Sequence, residues 1–321
     1  MRKKLEFQAD RIEAVLTMHK VPARVTGGTV TPRWTRFQVL PVVGGDVSRI
    51  KDLSGELAAA LDAAECQVLR RGAAVTVEIP RNDPQPVRLA PLYRQLTSEG
   101  GSISPMTAVL GLADDGAPLL IRLPSPDVGN ILVAGSRGAG KTALLRAMVV
   151  SLAMANSPDG LAFIVFGDGL PGIERFVTGH RILRVENLGM AVLQAMKVAG
   201  KRIVFIGDDA RGGGDGTAKN LVCLLVADRH HYILAWDGVP PSWIVDLFSV
   251  RLVGRVASVE DARAAAGCAG TGAERLTGKG DFVAVAEGRV HRFQAAFIGP
   301  NELVTAPALT ASAAVLGRFG V

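Results

Sequence analysis

A glycine-rich segment that ends in lysine and threonine is the first part of this sequence whose residue types can carry chemistry. Residues 135–142 read GSRGAGKT and match the pattern G-x-x-x-x-G-K-S/T. Small residues allow backbone N–H groups to wrap around phosphate oxygens, and the dipole of a following helix adds partial positive charge there. We therefore expect a phosphate-binding loop made of Gly135, Ser136, Arg137, Gly138, Ala139, Gly140, Lys141 and Thr142.

The last two residues of this loop have separate expected roles. Lys141 would reach the β and γ phosphates of a nucleotide, and the Thr142 hydroxyl would hold Mg²⁺. ATP and Mg²⁺ are thus the expected cofactors. A side chain at Gly138 or Gly140 should disturb the loop, because backbone and phosphate must approach each other closely there. The alternative is a chance glycine-rich turn.

A second acidic feature is needed if a bound nucleotide is to be hydrolysed. An apolar strand that ends in acid would orient the Mg²⁺ water shell and polarise the attacking water. Residues 203–209 (IVFIGDD) have this form. We assign Asp208 to the Mg²⁺ shell and Asp209 to activation of water, since the second acid must reach farther toward the γ phosphate. The alternative is that both acids only begin a polar turn before residues 211–216 (RGGGDG).

Apolar runs that alternate with helical patterns must position these residues. The runs lie at residues 130–134, 161–166, 202–206, 232–235 and 250–256. The helix after the loop has its apolar face at Leu144, Leu145, Met148, Val149 and Leu152. Buried strands of a parallel sheet have this character. The fold class predicted is α/β, a P-loop NTPase core with a mainly parallel sheet.

The first part of the chain has a different pattern, which predicts a small mixed α/β unit over residues 7–89. Ile12, Val15, Leu16 and His19 fall on one face of a helix, and alternation over residues 35–40 predicts a strand. The polar, glycine-bearing residues 94–105 are typical of a connector. We predict a small α/β domain at 1–95, a linker at 96–105, a P-loop domain at 106–300 and a tail at 301–321.

Composition narrows the class of protein further. With 48% hydrophobic and 21% charged residues over 321 positions, the chain is typical of globular proteins. Its formal charge of +6 favours a polyanionic partner. Three separated cysteines imply neither disulfides nor zinc, and a reducing cytoplasm is the expected location. No apolar run is long enough for the about 20 residues of a membrane-spanning helix.

The sequence resembles the FtsK/SpoIIIE family of DNA translocases from about residue 7 to residue 298. In the first domain the resemblance lies in residues 36–41 (RFQVLP), 47–53 (VSRIKDL) and 77–80 (VEIP). In the second it lies in residues 130–135 (NILVAG) and 272–282 (GAERLTGKGDF). The first set resembles a small α domain that most other P-loop proteins do not have.

This resemblance implies a RecA-like motor domain in a homo-hexameric ring, with double-stranded DNA in the central pore and translocation coupled to ATP hydrolysis. Residues 251–258 (RLVGRVAS) resemble the strand whose arginines lie near the neighbouring subunit's nucleotide. Arg251 or Arg255 would then stabilise the transferred phosphoryl group in trans; an ion-pairing surface arginine is the alternative. In the pore, Arg211 and Lys219 would contact DNA phosphates without reading sequence.

Several positions depart from the family pattern. Asp209 stands where the family usually has glutamate, and the missing methylene retracts the carboxylate by about one bond length. Residues 166–170 (FGDGL) replace Asp-Pro-Lys, and residues 235–238 (AWDG) replace the Thr-Gln segment that senses the γ phosphate. A degenerate member that binds nucleotide and DNA but hydrolyses little is therefore the second hypothesis. The family's winged-helix and membrane-spanning parts have no counterpart in this sequence, which therefore supports no inference of directional loading or of septum attachment.

Three further interpretations compete with these. A small-molecule P-loop kinase would need an arginine-rich lid and would leave the first domain unexplained. The pair His230-His231 suggests a metal site, but adjacent side chains of a strand point apart. Trp236 could stack on a base, although an aromatic residue at an apolar strand end is more often core.

Overall fold

The computed structural model describes residues 2–42, 47–71, 74–98, 101–167, 170–185, 190, 201–208 and 230–299. The chain divides into two compact units, Met1–Pro86 and Val87–Val321. Among the described residues, no helix combines the length and the apolar character needed to cross a bilayer.

The described residues of the smaller unit form a four-stranded antiparallel sheet and three helices. Its helices are α1 (Arg2–Met18), α2 (Val47–Asp52) and α3 (Ser54–Ala60), and its strands are β1 (Ala23–Val30), β2 (Trp34–Pro41), β3 (Gln67–Arg71) and β4 (Ala74–Pro80). The strand order is β1-β2-β4-β3. Ile12, Val15 and Leu16 of α1 are buried as the helical spacing predicts, whereas His19 lies beyond the helix end and is exposed.

A short strand and a helix follow at the start of the larger unit. Strand β5 (Val87–Arg88) and helix α4 (Leu89–Ser98) belong to this unit, because Leu89, Leu92 and Tyr93 are buried in its main apolar core. The predicted boundary after residue 95 falls inside α4, so the division between compact units lies earlier in the chain.

The larger unit contains an 11-stranded sheet with the order β10-β9-β11-β12-β8-β13-β14-β15-β6-β7, and β5 pairs with β15. Its remaining strands are β6 (Thr107–Ala113), β7 (Pro118–Arg122), β8 (Ile131–Gly135), β9 (Leu161–Gly167), β10 (Arg181–Val185), β11 (Arg202–Asp208), β12 (His230–Asp237), β13 (Val250–Gly254), β14 (Asp281–Ala286) and β15 (Arg289–Phe297). Besides α4, the helices among its described residues are α5 (Lys141–Met154), α6 (Ser242–Val245) and α7 (Val259–Ala266).

The six strands from β10 to β13 in this order are all parallel, and the pairings from β13 to β7 are antiparallel. This arrangement confirms the predicted α/β class with a large, mostly parallel sheet. Strands β8, β9 and β11 are continuous apolar runs because parallel strands are covered on both faces. Helix α5 is buried on more than the single predicted face, since every residue from Ala147 to Met154 is buried.

Candidate functional site

The phosphate loop connects the end of β8 to the start of α5. Gly140 is the N-cap of α5 with φ +105°, and Gly135 and Gly138 also have positive φ values, +143° and +82°. A Cβ atom on Gly140 would lie 2.6 Å from the backbone nitrogen of Gly280, whereas one on Gly138 would meet nothing within 4 Å. The two glycines are therefore required for different reasons: Gly140 for close packing and conformation, Gly138 for conformation alone.

A cavity of about 360 Å³ opens at this loop. It is lined by Arg137, Gly138, Gly140, Lys141, Thr142, Ala143, Asp208 and Asp237. The acids come from the carboxyl ends of β11 and β12, the edge at which open α/β sheets bind ligands. The fold thus brings the loop and one predicted acid together, and it adds a second acid that was noted in the sequence only as a departure.

Thr142 and Asp208 are in direct contact. The Thr142 hydroxyl donates to the Asp208 carboxylate, with Oγ1 3.0 Å from Oδ2 and 3.3 Å from Oδ1. Asp208 is buried at the end of β11. A hydroxyl and a carboxylate side by side are hard oxygen donors of the kind that Mg²⁺ accepts beside phosphate oxygens and water. Asp209 lies outside the described residues.

Lys141 is held within the loop by three acceptors. Its ammonium donates to the carbonyls of Gly135 (2.7 Å) and Ser136 (3.1 Å) and to Oδ1 of Asp237 (3.0 Å). A lysine ammonium has three donors, so each has an acceptor here. This ion pair was not predicted from the sequence. It depends on the register of the neighbouring parallel strands, in which Asp237 pairs with Gly135, and no local sequence pattern indicates that register.

The two candidate arginines of the β13 region differ in their surroundings. Arg251 is half-buried, and its guanidinium donates to the carbonyls of Phe248 (2.9 Å) and Ala266 (2.9 Å). The Arg255 side chain is exposed, while its carbonyl accepts the N–H of Ser136 at 2.8 Å. Arg251 is thus engaged with its own chain near the end of α7, and Arg255 lies beside the phosphate loop.

Residues from the other interpretations do not line this cavity. The His230 ring packs edge-on against Phe205, and burial lowers the pKa of His231 below its usual value. Trp236 packs against a buried apolar cluster that includes Phe205 and Leu234. No group of three or more metal-ligating side chains occurs within the part of the chain that the structure describes. The predicted pore residues Arg211 and Lys219 fall outside it.

The parallel sheet, the glycine loop and the Thr142–Asp208 pair define a P-loop NTPase domain. Sequence profiles match in two places: the FtsK alpha domain over residues 1–81 and the FtsK/SpoIIIE family over residues 94–170. The chain belongs to the FtsK/SpoIIIE family. This assignment confirms the resemblance read from the sequence.

Curated relatives support the same assignment. The DNA translocase FtsK of Mycobacterium leprae is 33% identical over 160 residues, which is 49% of this chain and 19% of that protein. The DNA translocase SftA of Bacillus subtilis is 31% identical over 157 residues, which is 48% of this chain and 16% of that protein. The aligned region is thus less than a fifth of the length of either relative.

Solved structures show the same fold at low sequence identity. The pCW3 conjugation coupling protein TcpA, in a monomer form with ATPγS, superimposes with a TM-score of 0.52 at 14% identity, covering 90% of this chain and 95% of that one. A second structure, described as an ATPase, gives a TM-score of 0.51 at 15% identity and covers 68% and 98% of the two chains. Both likenesses concern the fold alone.

Proposed function

We propose that this chain carries the motor core of an ATP-dependent translocase for double-stranded DNA, which works as a homo-hexameric ring. The observation that carries the proposal is the contact between Thr142 and Asp208 beside the phosphate loop. The chain also belongs to a family whose curated relatives are DNA translocases. The Thr142 hydroxyl and the Asp208 carboxylate are the two protein ligands expected for Mg²⁺ in a Mg²⁺–nucleotide site.

The residues of the cavity then divide the work of binding and hydrolysis. The loop's N–H groups and Lys141 bind the phosphates, which requires that Lys141 exchange its contact with Asp237 for phosphate oxygens. Thr142 and Asp208 would hold Mg²⁺, which would supply positive charge beside the phosphates. Asp209 orients the attacking water. In this scheme the protein's contribution is positioning and electrostatic stabilisation.

The ring and the DNA complete the proposal. Of the two arginines, Arg255 is the better candidate for a neighbouring subunit's nucleotide, because the Arg251 guanidinium already binds two carbonyls of its own chain. Arg211 and Lys219 are proposed to contact DNA phosphates in the pore. Contacts of this kind are independent of sequence and weaken as salt is raised.

The test is ATP hydrolysis by the full chain with and without linear double-stranded DNA. Lys141→Ala serves as the blank, because it removes the cation that binds the phosphates. We expect DNA to stimulate ATP turnover at least about tenfold. We expect Lys141→Ala to have no turnover, since an electrostatic contact to the transferred phosphoryl group contributes several kcal/mol to catalysis. Turnover that is unaffected by DNA, or that survives in Lys141→Ala, would contradict a DNA-driven motor at this site.

A second candidate is a nucleotide- and DNA-binding family member with little ATPase activity. Two observations favour it: Asp237 pairs with the phosphate-loop lysine, and Asp209 is one methylene shorter than the family's usual glutamate. Nucleotide binding with no measurable turnover would support this candidate. In that case Asp209→Glu should restore hydrolysis if the short side chain is the cause.

A further inference from the structure

A tight turn over residues 277–281, which we call the backing turn, packs against the phosphate loop. Three of its successive residues have positive φ values: Gly278 (+74°), Lys279 (+52°) and Gly280 (+93°). Side-chain-bearing residues adopt this conformation at a cost, so Lys279 is held there by its surroundings. The backing turn contains no residue that lines the cavity, and the phosphate-site chemistry described above does not use it.

The backing turn binds two consecutive carbonyls of the phosphate loop. Lys279 donates its N–H to the carbonyl of Gly138 at 3.1 Å, and Gly280 donates its N–H to the carbonyl of Ala139 at 2.7 Å. The carbonyl and the N–H of one trans peptide point in opposite directions. The N–H groups of Ala139 and Gly140 must therefore point away from the backing turn. There the Ala139 N–H donates to the Ser136 carbonyl at 3.1 Å, within the loop itself. The backing turn thus fixes the orientation of both peptides from behind the loop, including the Gly140 N–H.

A buried ion pair holds the backing turn in place. Arg292 of β15 binds both carboxylate oxygens of Asp281, with Nε 3.0 Å from Oδ1 and Nη2 2.9 Å from Oδ2. The same carboxylate accepts the N–H (3.1 Å) and the hydroxyl (3.2 Å) of Thr277. Asp281 is only 3% exposed. The Asp281 carboxylate thereby connects the last residue of the backing turn to the first, Thr277. The two-pronged contact with the Arg292 guanidinium fixes the orientation of this carboxylate.

Contacts to β15 fix the remaining atoms of the backing turn. The carbonyl of Gly280 accepts the N–H of Ala295 at 2.7 Å, and the amide of Gln294 donates to the carbonyl of Lys279 at 3.3 Å. The turn is therefore attached to the sheet on one side and to the phosphate loop on the other. A displacement of Asp281 would be transmitted directly to the two loop peptides.

We propose that Asp281 and Arg292 are positioning residues for nucleotide binding: their ion pair holds the backing turn, and the backing turn fixes the shape of the phosphate loop and orients its Gly140 N–H toward the phosphates. This inference rests on the proposed nucleotide site. It predicts that breaking the Asp281–Arg292 pair, which does not line the cavity, weakens nucleotide binding. The loss of affinity should be larger than the accompanying loss of global stability can explain.

The experiment measures the dissociation constant of the full chain for a fluorescent non-hydrolysable ATP analogue, together with the thermal unfolding midpoint without nucleotide. Asp281→Asn should weaken binding about tenfold, and Arg292→Lys should weaken it less, because lysine keeps the charge but loses the two-pronged geometry. The matched control is Glu78→Gln, which breaks the buried pair between Arg36 Nε and Glu78 Oε1 (2.7 Å) in the smaller unit. It should lower the midpoint and leave the dissociation constant unchanged.

A milder variant covers the case in which Asp281→Asn does not fold. Thr277 is exposed, and Thr277→Val removes one hydroxyl hydrogen bond to Asp281. This variant should weaken binding of the ATP analogue about threefold. Binding equal to that of the wild type in both Thr277→Val and Arg292→Lys would overturn the positioning role while leaving the nucleotide site intact. A wild-type chain that binds no nucleotide would overturn the proposed function and this inference together.

Discussion

The phosphate loop is held from two sides by ion pairs of different construction. At the front, Lys141 and Asp237 meet through a single contact of 3.0 Å, and both residues line the cavity. At the back, Arg292 and Asp281 meet through two contacts, Thr277 adds two more, and none of the three lines the cavity.

The difference separates contacts that must be exchanged from contacts that must persist. A lysine in a single contact beside an open cavity can leave its partner when phosphate oxygens replace the carboxylate. Breaking a buried arginine–carboxylate pair by removing one partner costs about 3–5 kcal/mol, because the other charge is left without compensation. The front of the loop is therefore suited to binding and release, and the back to keeping the loop's shape in both states.

The largest expected effect comes from Gly140, the loop glycine that packs against the backing turn. Gly140→Ala places a Cβ atom 2.6 Å from the Gly280 nitrogen and forces alanine to φ +105°. We expect the free energy of unfolding to fall by about 3 kcal/mol, which combines overpacking with backbone strain. Denaturant unfolding of the full chain without nucleotide measures this change.

Gly138→Ala is the matched control at the front of the loop. It carries the strain of φ +82° but meets no atom within 4 Å, so the loss should be about 1 kcal/mol. Equal losses for the two variants would remove the distinction between a packed back and an open front.

Much of this site could be predicted from the sequence because its parts are local. The run of apolar strand, glycine loop and helix fixes Lys141 and Thr142 within a few residues, and an acid after a second apolar strand marks Asp208 as a candidate. The structure places Asp208 in contact with Thr142, and its role in holding Mg²⁺ stays a prediction. The fold class followed from alternating strand and helix patterns for the same reason. The mostly parallel sheet of the larger unit was predicted in this way, whereas the antiparallel pairing in the smaller unit was not predicted.

What could not be predicted depends on which distant segments become neighbours. Asp237 meets Lys141 only because β12 lies beside β8 in the sheet, and Gly280 meets Gly140 only because residues 277–281 fold behind the loop. Strand order and backbone packing of this kind leave no local periodicity. Helix α5 is buried beyond its predicted face for the same reason, since β6 and β15 also pack against it.

An intermediate effect is expected from the two arginines beside the loop. Arg251→Gln removes donors from the carbonyls of Phe248 and Ala266, so we expect the free energy of unfolding to fall by about 2 kcal/mol. Arg255→Gln changes an exposed side chain and should alter it by less than about 0.5 kcal/mol. Denaturant unfolding compares the two variants.

The same two variants separate a role in folding from a role in catalysis. Arg255→Gln should reduce DNA-stimulated ATP hydrolysis although the chain remains as stable as the wild type. If Arg255→Gln hydrolyses ATP normally and Arg251→Gln is stable but inactive, the assignment of the two arginines must be reversed.

The smallest expected effect tests whether the front pair is exchanged. Asp237→Asn replaces the carboxylate that competes with phosphate for the Lys141 ammonium by a neutral amide, so ATP should bind more tightly. We expect about a fivefold lower dissociation constant, equivalent to about 1 kcal/mol, because the pair is partly exposed and its Coulomb energy is screened. Titration with the fluorescent ATP analogue measures the change.

Asp159→Asn is the control. Asp159 is exposed, and its Oδ1 lies 3.9 Å from Nζ of Lys201, so this variant removes an exposed ion pair and should leave ATP binding unchanged. Weaker binding in Asp237→Asn would mean that Asp237 assists the nucleotide instead of competing with it, and the front pair would then persist as the back pair does.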